Sequence, residues 1–327
     1  MRAAPAVALV ISGSIVALGL AWAQRAPTTG AAPPPPAASP QLGPTVSASA
    51  PTPAALQSAP PPPPIAAAIP KCTNPNALGV ARTVEIDTTG GPGFGFEHFK
   101  QHNFLRNNEV VLTFDDGPWP TTSAVLEALA AECVRATFFP IGKHATYYPE
   151  ILKQVADAGH SVGSHTWAHQ DLSRKTVQEA KDEIEKGFSA VRAALGGPGA
   201  PFFRFPALRH PPELVTYLGE RNIAIFSTDF DSFDFKMRKP EQVVASVLAK
   251  LKKHGKGIAL MHDFQQPTAH AVPELLAQLK AGGYKIVHMK AKDPVKTLPQ
   301  YDELIVKDQK LPTVSTRPTS SVVRTVD

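Results

Sequence analysis

From Val110 to Phe114 the chain is apolar at every position but Thr113, and the run stops on Asp115-Asp116-Gly117-Pro118. An apolar run with no polar alternation is the pattern of a parallel strand covered on both faces, so the two carboxylates are expected at a strand end. Successive side chains of a straight strand face opposite ways. Both acids can therefore serve one site only if the backbone curls there, as Gly117 and Pro118 suggest. Six further short apolar runs, at 137–141, 161–165, 202–204, 223–228, 257–262 and 285–289, read as strands. Between them, helical periods predict helices over 122–132, 149–158, 177–195, 212–221, 243–254 and 272–281. Thr176 with Glu179 three residues on has the form of a capping box, and Gly196-Gly197-Pro198 stops the helix it starts; Gly159 and Gly282 end two more. Seven strands alternating with helices put the chain in the α/β class, whose chemistry gathers at the carboxyl ends of strands.

This pattern is confined to part of the chain. Residues 6–20 form an uncharged apolar run followed by Ala21-Trp22-Ala23, so residues 1–23 read as a secretory signal peptide or, if uncleaved, an N-terminal anchor. Residues 24–70 are rich in Pro and Ala and cannot bury enough apolar surface to offset the entropy of ordering them; a disordered, extended linker is expected. Residues 71–109 are a lead-in with one strand at 83–86 and a glycine-rich turn at 90–95, residues 110–290 the single main domain, and residues 291–327 a loose tail.

The net charge of +5 changes little in this picture. Four of the 33 basic residues precede Glu85, leaving 29 against 28 acidic residues for the rest. Without a basic cluster interleaved with aromatics, binding to nucleic acid is not expected. An exported chain would oxidise its two cysteines, and a bridge between Cys72 and Cys133 would tie the start of the globular part to the end of its first helix; two free thiols are the alternative.

The chemistry-bearing residues follow the strands. His165 and His169 lie four apart directly after 161–165, a spacing that can bring two imidazoles to one point if the chain turns helically. A zinc protease would carry His-Glu-x-x-His, but Thr166 occupies the glutamate's place, so a base must come from elsewhere. Asp115 and Asp116 are available: one as a third ligand, the other as the proton acceptor.

Thr113-Phe114-Asp115-Asp116-Gly117 and His165-Thr166-Trp167-Ala168-His169 resemble the first two motifs of the polysaccharide deacetylases, carbohydrate esterase family four, which carry the nodulation-deacetylase homology domain. Phe203-Arg204-Phe205-Pro206, Asp231-Ser232-Phe233-Asp234-Phe235 and Leu260-Met261-His262 resemble the later three, in the same order. The resemblance implies a distorted (β/α)7-type barrel with one divalent metal ion, zinc foremost and cobalt or nickel in its place, held by Asp116, His165 and His169. It further implies Asp115 as general base, His262 as general acid, Arg204 orienting Asp115, and Asp234 bonded to His262. Ala207 would offer its N–H to the oxyanion, Leu260 would line the acetyl pocket, and Phe235 would contact substrate in the groove. Trp119 and Trp167 would stack on sugar rings or pack in the core. Two departures from the motifs bear on the groove: Ala207-Leu208 where the family has an aromatic or small residue and then glycine, and Phe235 where tryptophan is common.

The activity so implied is N-deacetylation of an amino-sugar polymer or oligomer of the peptidoglycan or chitin kind. O-deacetylation of a xylan-like polymer and a catalytically silent glycan-binding scaffold are the rival readings. The partner is an acetylated glycan, the place is the periplasm or a membrane anchor facing it, and a monomer is expected.

Overall fold

The computed structural model describes residues 72–100 and 104–310. The apolar leader, the Pro/Ala-rich linker and residues 311–327 lie outside them. Ten strands occur among the described residues: β1 (Arg82–Ile86), β2 (Gly93–Phe94), β3 (Glu109–Asp115), β4 (Thr137–Phe139), β5 (Ser161–Val162), β6 (Phe202–Phe203), β7 (Ala224–Phe226), β8 (Phe230–Asp231), β9 (Gly257–His262) and β10 (Lys285–Ala291). The helices are α1 (Phe96–Phe99), α2 (Thr122–Ala131), α3 (Gly142–Tyr147), α4 (Pro149–Asp157), α5 (Val177–Leu195), α6 (Pro212–Glu220), α7 (Pro240–His254), α8 (Gln266–Ala281) and α9 (Pro299–Lys310).

β3 is the strand on which the others are assembled. It pairs in parallel with β9 along its length, and on its other edge with β10 at its start and β4 at its end. β4 pairs with β5, a bridge from Ser164 to Phe203 carries the order on to β6, and β6 pairs with β7. β8 pairs with β9. The order β8-β9-β3-β4-β5-β6-β7 is a distorted (β/α)7 barrel in which every pairing is parallel. Between β7 and β8 the turn takes over: Asp229 accepts from the N–H groups of Ile258 (2.7 Å) and Phe96 (2.8 Å), and its own N–H donates to the Ile258 carbonyl.

The two-residue alternation of β3 divides the core. Val110, Leu112 and Phe114 face outward and pack with residues of α2, α7 and α8, whereas Val111 faces inward with Phe139, Phe202, Phe226 and Ile258. Thr113 and Asp115, in the same inward row, are fully buried too, and their partners define the site below. α5 begins at the capping box: Thr176 Oγ1 accepts from the Glu179 N–H, and the Glu179 carboxylate accepts from the Thr176 N–H.

Several elements depart from the sequence pattern. The run at 285–289 is a strand, but β10 pairs along its length with β1, and the seventh barrel strand is β8, two residues long and too short to show a period. The expected loose tail contains α9, which packs on α5 through Ile305, fully buried, and through Tyr301, whose hydroxyl donates to Asp182 at 2.5 Å. α8 begins six residues before the predicted start at 272, because Pro267 is tolerated in the first turn and Pro273 lies inside the helix. Cys72 and Cys133 form a disulfide, which with the Asn74 and Leu78 contacts to the end of α2 seats the lead-in on that helix. Among the described residues no helix is long and apolar enough to cross a membrane.

At the opposite end of the strands His160 is buried, with Nδ1 accepting from the Ala136 N–H at 3.0 Å, so its proton resides on Nε2. Burial, with the nearby positive Arg135 and His288, pushes its pKa down to about 3. The unfolded chain titrates near the ordinary histidine value of about 6.5, so between those limits it binds more protons than the fold does. Stability from neutral His160 is present above about 6.5 and lost as pH falls toward 3. His160→Asn, whose side-chain oxygen can still accept from Ala136, is expected to lose less thermal stability than the wild type between pH 7 and pH 4, measured by thermal unfolding across that range.

Candidate active site

Asp115 ends β3 facing inward, opposite His262 in the register with β9. Asp116 is left-handed (φ 71°), which cancels the strand's alternation and brings the second carboxylate round to the same side. The curl is held on three sides. The Asp116 N–H donates to the Phe139 carbonyl (3.2 Å), the Ile141 N–H to the Gly117 carbonyl (3.0 Å), and a ring nitrogen of His144 to the Asp116 carbonyl (2.6 Å).

Arg204 is wholly inaccessible to solvent and fixes Asp115. Its Nη1 donates to Asp115 Oδ1 and to Thr113 Oγ1, both at 2.7 Å, while Nε and Nη2 donate to the carbonyls of Phe226 (3.2 Å) and Ser227 (3.0 Å). The guanidinium also lies 4.3 Å from the centre of the Phe139 ring. A charge this deep is tolerable only with its partners in place.

His165 donates from Nδ1 to the Arg204 carbonyl (2.7 Å), so the lone pair of Nε2 faces the site. Burial is the main cause that lowers its pKa, against the pull of Asp115 and Asp116, and the ring is neutral. Nε2 of His165 and Nε2 of His169 each stand 3.5 Å from Asp116 Oδ1. The two histidines meet through a turn with Thr166 (φ 68°) and His169 (φ 52°) both left-handed, braced by the His169 N–H donating to Thr166 Oγ1. That is a correction to the helical turn expected from the spacing. The turn fits because α5 presents Gly187 to it: a Cβ there would lie 2.7 Å from the Thr166 carbonyl carbon.

Asp116 Oδ1 is buried and accepts no hydrogen bond, although Nε2 of both histidines faces it. Three unsaturated donors, all within 4.8 Å of one another, suit a divalent cation in an open site with room for further ligands.

Across the cavity His262 donates from Nδ1 to Asp234 Oδ1 (2.6 Å), and its N–H donates to Asp234 Oδ2 (2.7 Å), which also accepts from Thr268 Oγ1 (2.5 Å). Burial alone would lower the imidazole's pKa. The bond to and charge of Asp234, with Asp116 and Asp115 in view, instead push it up to about 9. Asp234 is likewise penalised by burial, but its bonds with His262 and Thr268 hold its carboxyl below the ordinary range. His262 Nε2 points back at Asp116 Oδ2 from 3.9 Å.

These groups open on one cavity of about 440 Å³. Asp115, Asp116, His165, His169 and His262 form one part of its lining; Phe205, Ala207, Leu208, Asp231, Phe235, Leu260 and Phe264 form the rest. Ala207 and Leu208 are both left-handed (φ 52° and 54°), and among the described residues the Ala207 N–H makes no hydrogen bond. Trp119, for which sugar stacking and core packing are the two expectations, is not part of this lining. The curl at Asp116 carries it onto His144 and Tyr148, with ring centres 5.1 Å from each. Trp167 also lies outside the lining, with Lys186 over its ring.

Asp263 escaped the reading of the sequence. It is fully buried next to His262, accepts from the Gly117 N–H (3.0 Å) and from Thr122 Oγ1 (2.5 Å), and so fastens the curl that carries Asp116 to the strand that carries His262. Burial pushes its pKa up to about 7. Its only signal in the sequence is a carboxylate directly after an apolar run, which reads as an ordinary strand exit.

A model of the polysaccharide deacetylase family matches residues 103–224. The peptidoglycan-N-acetylglucosamine deacetylase PgdA of Listeria monocytogenes is 34% identical over 185 residues, covering 55% of this chain and 38% of its own length. A chitooligosaccharide deacetylase of Bradyrhizobium is 31% identical over 192 residues, covering 54% of this chain and 87% of its own. Among solved structures, a peptidoglycan deacetylase of Bdellovibrio bacteriovorus superposes with a TM-score of 0.61 at 34% identity, over 69% of this chain and 64% of its own. The chain spans less than half the length of the Listeria protein and of PdaC from Bacillus subtilis.

A Cβ on Gly117 would fall inside the Asp263 carboxylate. Gly117→Ala is expected to lower stability by about 1–3 kcal/mol. Combined with Asp263→Ser, which makes room, it should cost less than the sum of the two single changes, measured as a double-mutant cycle by denaturant unfolding.

Proposed function

Because the chain belongs to the polysaccharide deacetylase family, we propose that it is a metal-dependent hydrolase removing N-acetyl groups from an amino-sugar polymer or oligomer of the peptidoglycan or chitin kind. Acetate and a free amine are the products. The observation that carries this reading is the convergence on one cavity of three kinds of group: a carboxylate pinned by a buried arginine, three donors disposed for a cation, and an imidazole bonded to its own carboxylate. The names of the Listeria, Bacillus and Bradyrhizobium relatives support the substrate class.

The roles follow from which atoms are already occupied. Asp115 gives Oδ1 to Arg204 and keeps Oδ2 for a proton from the attacking water. Asp116, His165 and His169 are the metal ligands, and a divalent cation there, zinc by this reading with cobalt or nickel able to replace it, would polarise the acetamide carbonyl and acidify water. His262 commits Nδ1–H to Asp234, so Nε2–H is the proton that passes to the leaving nitrogen as the C–N bond breaks. Ala207, its N–H without a partner among the described residues, is the donor assigned to the developing oxyanion; Leu260 bounds the acetyl group and Phe235 the groove beside it.

Such polymers lie outside the cytoplasm. We place the chain in the periplasm or anchored facing it, as a monomer; the apolar leader at residues 1–23 and the Cys72–Cys133 bridge support export.

The test is acetate release by the full chain with zinc or cobalt, compared between N-acetylglucosamine oligomers, peptidoglycan and acetylated xylan. Release from the first two and not from xylan is expected; glycan binding with no release from any substrate sinks the reading. Asp115→Asn is expected to lower turnover by about 100-fold or more with one metal ion retained, and His169→Ala to lose metal affinity. Equal loss of metal in both variants, read by elemental analysis after dialysis, contradicts the division of roles.

A further inference from the structure

Phe235, which lines the cavity, lies in a segment with other members that the proposed chemistry does not use: Phe233, Lys236, Arg238 and Lys239. Phe233 and Phe235 are 41% and 47% exposed and stand side by side, so they form an apolar patch rather than scattered single residues. Phe233 is left-handed (φ 57°), and its N–H is tied to Asp231 Oδ1 at 2.8 Å, so a fixed backbone presents the ring. Phe235 faces the cavity, its ring 5.6 Å from that of His262. The two phenylalanine rings stand edge to face, 6.1 Å apart.

The Lys236 ammonium lies over both, 4.6 Å from the Phe233 centre and 5.3 Å from that of Phe235. Lys250 also covers Phe233 at 4.3 Å, but it is committed to the Asp231 and Ser232 carbonyls and to Ser246. Lys236, Arg238 and Lys239 are different: none forms an ion pair among the described residues. Of the nearby acids, Asp234 is bonded to His262 and Thr268, and Asp231, which faces the cavity, accepts the Phe233 N–H through Oδ1.

Resting on the deacetylase reading, we propose that this flank is a subsite for the sugar next to the one being deacetylated, and that it selects a neighbour bearing a carboxylate. The rings offer an apolar face to the sugar's C–H groups, as aromatic side chains do in polar recognition. The ammonium of Lys236, backed by Arg238 and Lys239, meets the anion. A neutral homopolymer of N-acetylglucosamine satisfies only the rings. An alternating polymer whose neighbouring sugar carries an acidic 3-O substituent, as peptidoglycan does, satisfies both. The acid is supplied either by the bare lactyl carboxylate or by the first free carboxylate of an attached peptide.

Binding reads the subsite separately from turnover. The full chain carrying Asp115→Asn, loaded with zinc, is titrated calorimetrically with an N-acetylglucosamine tetramer, with a peptide-free tetrasaccharide bearing lactyl carboxylates, and with the same tetrasaccharide bearing stem peptides. At low salt, one or both acidic tetrasaccharides are expected to bind about five-fold tighter than the neutral tetramer, near the upper range of an exposed ion pair. Which of the two does so identifies the carboxylate. Lys236→Met should bring the ratio close to one, Lys236→Arg should restore it, and added salt should narrow it. Equal affinity for neutral and acidic sugars, or a ratio unmoved by Lys236→Met, overturns the proposal. Absence of acetate release by the wild type would bear on the deacetylase reading alone.

Discussion

The site depends on a guanidinium buried inside a barrel. Arg204 reaches from the end of β6 to Thr113 and Asp115 on β3 and to the carbonyls after β7, so one side chain fastens three strands and aims a carboxylate. A charge with no solvent exposure carries a large desolvation cost, which is recovered only while every donor has an acceptor. The interior is accordingly polar at this level, with Thr113, Ser227 and Thr228 buried beside it. Removing the arginine would leave Asp115 buried with no counter-charge, which is why the strands around it cannot shift independently.

The second constraint is in the backbone. Six of the ten non-glycine residues with left-handed φ among the described residues, Asp116, Thr166, His169, Ala207, Leu208 and Phe233, belong to the segments that line or flank the cavity. Each such residue costs on the order of 1 kcal/mol or more and persists only where its surroundings over-determine it. Here they do: Asp263 holds the curl at Gly117, Thr166 holds its own turn, and Gly187 lets α5 close on that turn. The strain is what turns side chains of successive residues onto one face.

Much of this was legible in the sequence. The apolar run into Asp115 and Asp116 located β3, because burial on both faces leaves no other pattern, and the Thr176 box located the start of α5 to the residue. The spacing of His165 and His169 pointed to a shared focus, though by a different turn from the one the structure uses. What escaped has a common cause. β8 is two residues long, α9 is specified by contacts with α5, and Asp263 and Gly187 matter only through partners far away in the chain. Periodicity registers a residue's own element, not the residue it meets. Trp119 shows the same limit from the other side, since an aromatic beside an acidic pair says nothing of which way the intervening curl will throw it.

The gap between β7 and β8 has a bearing on how this architecture diversifies. β8 is hydrogen-bonded as a strand only to β9 among the described residues, and Asp229 before it accepts from the N–H of Ile258 on that same strand and from the N–H of Phe96 at the start of α1. The stretch from there to α7 is held instead by side chains: Lys250 and Ser246 of α7 donate to the carbonyls of Asp231 and Ser232, and Asp234 is tied to His262 and to Thr268 of α8. Substitutions in the polar residues of α7 would thus reshape one bank of the channel, while the bank that carries Asp115, fastened by the ladders of β3 with β4 and β9, stays in place.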